Sequence, residues 1–176
     1  MNISELFESF NFKAYIVWSE ESNSDIGKFN IADEFYKIVI EHFTLQIDVL
    51  ENKKIEDVIQ IGFSRILNGA DFTSKIESEN PNKVFSAVYN GVIEKIENIN
   101  VDAIVFSAKK INGDTLEFFE KRSKLYEKLA QWVSRRTKFG FIENKFQNTE
   151  GDHFILIIKK LNLSNDEITQ MLEKLK

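Results

Sequence analysis

Cysteine is absent from this chain. That excludes disulfides, a thiolate nucleophile and cysteine-ligated metal. There are two histidines, His42 and His153, widely separated in sequence. Their scarcity argues against a histidine metal site or a Ser-His-Asp type triad, and no metal-ligating set is assigned. No apolar stretch approaches the roughly 20 residues of a membrane-spanning helix. The first residues, MNISELFESFNFK, lack the basic start and long apolar run of a signal peptide. The expectation is a soluble, cytoplasmic protein without a membrane partner. Proline occurs once, at Pro81, and glycine only 7 times, so few positions punctuate the backbone.

What is present is ordinary for a globular protein of 176 residues: 43% hydrophobic and 29% charged. This length fits a single domain spanning residues 1–176 with a real core, and 16 phenylalanines make that core aromatic-rich. The net charge of −5 argues against nucleic acid as a partner. Charge is nonetheless uneven. The segment from Lys109 to Lys138 holds nine basic and four acidic residues, which fits either a solvated helix face or a local anion site.

Along the chain, Ser4 can cap a short helix at 4–10. Residues 12–18 (FKAYIVW), 34–46 and 57–67 read as strands rich in aromatic and β-branched residues, and ESNSDIGKFN as a polar connection between the first two. None of the three alternates cleanly, as expected of strands covered on both faces. Residues 68–81 read as a loop. Asn80 as cap and Pro81 at the first helical position then open a helix over 82–98, with Val84, Phe85, Val88, Val92, Ile96 and Ile99 at helical spacing. VDAIVFSA (101–108) reads as a central strand. Asp114 and Glu117 form a capping-box start to a second helix, whose apolar stripe passes through Arg122, Tyr126 and Leu129. Residues 139–148 and 153–160 read as a hairpin joined by TEGD, and Ser164 and Glu167 cap a final short helix with Leu163 and Ile168 as a staple. The fold expected is α+β (α/β-like), a single mixed sheet of about six strands with two crossover helices and right-handed connections.

A meander of three strands, a helix, a strand, a second helix and a terminal hairpin resemble the element order of the GNAT-type N-acetyltransferases. SKLYEKL followed by FGF is similar to the late helix and strand of that family. The Arg122-x-x-x-Tyr126 helix before a hairpin is also similar to phage-encoded GNAT-like proteins. The likeness spans about residues 12 to 160. It implies a GNAT-like fold that transfers an acyl group from acetyl-CoA or another acyl-CoA to an amine, with two splayed parallel strands at 57–66 and 101–108. It further implies Tyr126 as the general acid that protonates the departing thiolate, and a pyrophosphate loop within 68–83. Arg65 and Gly69 stand at the start of that loop. The loop departs from the family pattern: Gly69 is its only glycine, and Pro81 removes a backbone donor.

Two residues add to the cofactor-binding set on their own chemistry. Arg122 on an apolar stripe must be paired or must reach solvent; it either pairs with a carboxylate such as Asp102 or grips an anion bidentately. Ser107, at the carboxyl end of a central strand, stands where ligands collect in open α/β sheets. Ser123 is a weaker hydroxyl candidate. Glu41 and His42 point to opposite faces of one strand and cannot act together. The alternative to an enzyme is a catalytically inactive GNAT-like scaffold, a binding or interaction module of a phage or mobile element. A small-molecule anion or a protein partner therefore remains open at this stage, as does the oligomeric state.

Overall fold

The computed structural model describes residues 12–47, 53–67, 70–72, 81–108, 116–137, 139–147 and 153–159, together with residues 164, 166, 169, 170 and 173. The expected helix at 4–10, the capping residues Asn80 and Asp114, the TEGD turn and the Leu163–Ile168 staple lie outside the described residues. Asp166, Thr169, Gln170 and Glu173 are helical, in the region expected to close the chain.

The elements run β1 (Val17–Glu21), β2 (Ser24–Ile31), β3 (Glu34–Ile47), β4 (Lys53–Leu67), β5 (Ala70–Phe72), α1 (Pro81–Glu97), β6 (Ala103–Ala108), α2 (Leu116–Arg136), β7 (Phe139–Gln147) and β8 (His153–Lys159). The strands form one mixed sheet in the order β1-β2-β3-β4-β6-β8-β7, with β5 paired to β4. The class is α+β. Two strands exceed the six expected: β2 forms within the stretch read as a polar connection, and β5 within the stretch read as a loop.

Two compact units divide the chain. The first comprises residues up to Ile40 and Gly62–Ile99; the second comprises Glu41–Ile61 and the chain from Asn100 onward. Both long strands, β3 and β4, contribute to each.

In the first unit, β1 and β2 form an antiparallel hairpin in which Glu21 faces Ser24 across the two-residue turn Ser22–Asn23. β2 is a strand because its partners supply what its composition lacks. Ile26, Phe29 and Ile31 are buried. Gly27 lies under the Trp18 ring, since a Cβ there would meet Trp18 and Ile16 at 2.9 Å. The buried Asp25 carboxylate accepts from Lys95 Nζ at 3.0 Å. A second two-residue turn, Ala32–Asp33, leads into β3, with Ala32 in the left-handed region at φ 52. Along β3, Tyr36, Ile38 and Ile40 are buried while Phe35 and Glu41 are exposed. This half of the strand thus alternates, contrary to the expectation of cover on both faces. Phe35 and Val39, on the outer row, hide that period in the sequence.

α1 begins at Pro81 as its composition predicts, and residues Val84–Tyr89, Gly91, Val92 and Ile96 are buried. Its buried polar groups are satisfied by the chain entering β1: Ser86 Oγ donates to the Phe12 carbonyl at 2.8 Å and Asn90 Nδ2 donates to it at 3.0 Å. At the C-terminus, Asn98 Nδ2 donates to the Glu94 carbonyl at 2.8 Å, covering an end group that the helix leaves unpaired.

In the second unit, β4 and β6 pair in parallel from Val58↔Ala103 to Ile61↔Phe106. Just before this ladder Asp57 takes φ 56, and its carbonyl accepts from the Asp102 N–H at 3.0 Å. β8 lies antiparallel between β6 and β7. The α2 crossover therefore leads from β6 to a strand one place removed, and it adds no parallel neighbour to β6 among the described residues. The register of β7 against β8 shifts between Phe141 and Lys145. α2 buries Tyr126, Leu129, Ala130 and Val133, and it ends where Thr137 donates to the Val133 carbonyl from its N–H at 3.0 Å and its Oγ1 at 2.7 Å.

Candidate functional site

Tyr126 is set by helical spacing: it shares a row with Leu129 and Val133, and that row packs inward. Its residue is 6% exposed. The ring meets Phe106 of β6 at a centroid distance of 6.5 Å, tilted by 56°, an edge-biased aromatic contact. Phe106 immediately precedes Ser107, so the carboxyl end of β6 and the middle of α2 meet where the sequence placed its catalytic candidate. Ser107 itself pairs with Phe154 of β8. Arg122 lies in α2 one turn before Tyr126. The side chains of Ser107 and Arg122, and Gly69 as a whole, lie outside the described residues. Ser123, three residues before Tyr126, has its hydroxyl buried with no hydrogen-bond partner among the described residues.

The other candidate, Arg65, belongs to the first unit and is engaged. Its NH2 nitrogen lies 2.7 Å from Glu34 Oε1, with the side chains 20% and 14% exposed. The second oxygen of the same carboxylate, Oε2, accepts from the Tyr36 hydroxyl at 2.8 Å, and the Tyr36 ring stacks on Phe29 at 5.4 Å and 19°. Glu34 and Tyr36 are two residues apart on one strand and so share a face. Together with Arg65 they form a polar cluster tying β3 to β4, in which both carboxylate oxygens are used. An external anion at Arg65 would compete with a carboxylate already in charge-assisted contact.

Reasoning from sequence missed Glu34 and Tyr36. A signal existed: Glu34 begins the row Tyr36, Ile38, Ile40 that turns inward, and an acid on an inward row requires a cation or donor.

Further along β4, Arg65, Ile66 and Leu67 pair antiparallel with Phe72, Asp71 and Ala70 of β5. Between this short ladder and the parallel one lie Gly62, Phe63 and Ser64. A Cβ at Gly62 would meet no heavy atom within 4 Å among the described residues.

Other sequence candidates are placed as follows. Glu41 is exposed and His42 half-buried, as opposite-facing neighbours on a strand should be. His153 is the first residue of β8, opposite Ala108 and Gln147. Trp18 and Trp132 are half-buried rather than fully in the core; Trp18 carries Lys95 Nζ 5.4 Å from its ring centroid. Among the described residues no group of three or more His, Asp or Glu side chains could hold a metal ion. Nor is any helix there long and apolar enough to cross a membrane.

Comparison with known protein families, with characterised proteins and with solved structures found no match.

Proposed function

We propose that this chain is a GNAT-like protein that binds an acyl-CoA and transfers its acyl group to an amine, with Tyr126 as the general acid. The observation that carries the reading is the strand order. An antiparallel meander passes through one parallel pair, β4–β6, to an antiparallel β8–β7 pair, with α1 and α2 as the connections on either side of β6. It is similar to the element order from which the resemblance was drawn, with β2 and β5 added to the three early strands. Under this reading the amide-bearing pantetheine arm takes backbone groups of β4 as an added strand would.

Tyr126 would act through its hydroxyl while its ring is held against Phe106. The acid role asks only that the hydroxyl reach the departing sulfur directly or through one water. The balance of the step is simple. The amine nitrogen forms the amide bond, the carbonyl carbon–sulfur bond breaks, and the thiolate takes a proton as CoA leaves. Tyr126→Phe keeps the ring and its packing, so the variant should melt with the wild type and lose turnover. A variant that acylates amines at the wild-type rate would remove Tyr126 from the chemistry.

A second reading, a GNAT-like scaffold that has lost transfer and serves as a binding module, is favoured by Arg65. Its pairing with Glu34 takes up the arginine that stands at the start of the expected phosphate loop. The two readings part on acyl-CoA binding. The enzyme reading requires saturable binding, whereas the scaffold reading tolerates none.

A further inference from the structure

β1 stands at one end of the strand order, and among the described residues no strand lies along its outer side. Such an edge presents backbone N–H and C=O groups able to pair with another chain. The segment running into it alternates with period two. Lys13, Tyr15, Val17, Ser19 and Glu21 are exposed, whereas Ala14, Ile16 and Trp18 are half-buried. Tyr15 is 87% exposed and Val17 57%, a large apolar presentation for an edge.

The inner row is firmly backed. The Phe12 carbonyl is held by Ser86 and Asn90 of α1, Trp18 covers Gly27, and Ile16 packs toward Gly91. α1 lies on the inner face of this unit: a Cβ on Gly91 would meet Ile16 of the edge segment first and Ile38 of β3 at 3.3 Å.

The exposed row reads Lys, Tyr, Val, Ser, Glu: a basic end, an apolar middle and an acidic end. Set antiparallel to a second copy about a two-fold axis through Val17, it complements itself. Lys13 falls opposite Glu21 twice, Tyr15 opposite Ser19 twice, and Val17 opposite Val17; the exposed Glu20 falls opposite Ala14. Sliding two residues puts Lys13 opposite Asn23 or Ser19 and loses both charge pairs. Sliding one residue sets the exposed row against the inner row. A parallel alignment stacks Lys on Lys and Glu on Glu, which is unfavourable. A charge order that reverses about its centre is what an isologous contact needs. We infer that the β1 edge is a homodimer interface, at which a second copy of this chain adds its own β1 antiparallel in the Val17-centred register. The inference is independent of the acyl-CoA reading.

Sedimentation velocity of the full chain over a concentration series tests it, with three sets of variants. The wild type should show reversible dimerisation. Lys13→Glu or Glu21→Lys alone should weaken the dimer by about tenfold or more, since each places two like-charge pairs at the contact. The combined Lys13→Glu/Glu21→Lys variant should recover it. Val17→Cys, in a chain with no other cysteine, should form a disulfide-linked dimer under mild oxidation. Directly opposed Cα atoms of an antiparallel pair are about 4.5–5.5 Å apart, within the span of a disulfide. Asn23→Cys, at the hairpin tip, should not. A wild type that stays monomeric at every concentration overturns the proposal. So does a dimer indifferent to both single charge reversals in which Val17→Cys fails to cross-link.

Discussion

Two residues of the β1–β2–β3 hairpins sit at opposite ends of one conformational argument. Ala32 holds φ 52, where a Cβ crowds the following carbonyl. The turn is retained by its neighbours, with Asn30 Nδ2 donating to the Ala32 carbonyl at 3.2 Å. Ala32→Gly removes the Cβ clash but adds freedom to the unfolded chain, so the expected net gain is about 0.5 kcal/mol. Urea denaturation should show a slightly higher midpoint at unchanged slope; a lower midpoint would mean that the alanine conformation is not strained. Gly27 is the reverse case. Its backbone is an ordinary strand, but an added methyl meets the Trp18 ring and Ile16 at 2.9 Å. Gly27→Ala should cost about 1–3 kcal/mol through overpacking, unless the half-buried indole can swing aside. Melting with tryptophan fluorescence distinguishes the two: a stable variant with a shifted emission would show that Trp18 moves freely.

Among the elements, β3 and β4 are joined by the Glu34–Arg65 pair with Tyr36 on the second carboxylate oxygen. Glu34→Gln keeps the shape but leaves a partly buried guanidinium opposite a neutral amide. The expected loss is about 1–3 kcal/mol, between that of an exposed pair and that of a fully buried one. A loss within the error of denaturant unfolding would show that the pair is solvated. Helices and late strands were largely legible in the sequence. Pro81 and a helical apolar stripe located α1 within one residue at each end, and the apolar run of β6 placed it inside 101–108. β2 was not legible, because Ser24, Asp25 and Gly27 are turn-forming residues locally. What makes them a strand is distant: Lys95 for Asp25 and Trp18 for Gly27. β1 shifted for a related reason, as residues 12–16 are spent on contacts with α1 before strand pairing starts at Val17. In the site, Tyr126 was legible from its helical row, and its Phe106 contact follows from the adjacent strand. Arg65 was legible as a cation, but its partner was not, since Glu34 reaches it only through β3–β4 pairing.

At the scale of the molecule, the sheet sets the parallel pair β4–β6 beside antiparallel pairs, with a helix before and after β6 in the chain order. Helical crossovers force the parallel pair, and insertion of β8 between β6 and β7 keeps the second crossover from making another. This arrangement underlies the proposal of a GNAT-like acyl-CoA protein. The measurement to make is a thermal-shift titration with acetyl-CoA on the wild type, with a CoA-free nucleotide as control. That proposal predicts that the melting temperature of the wild type rises with acetyl-CoA as a single-site ligand requires, and that the control nucleotide has no effect. A wild type whose melting temperature is unmoved by millimolar acetyl-CoA would contradict it.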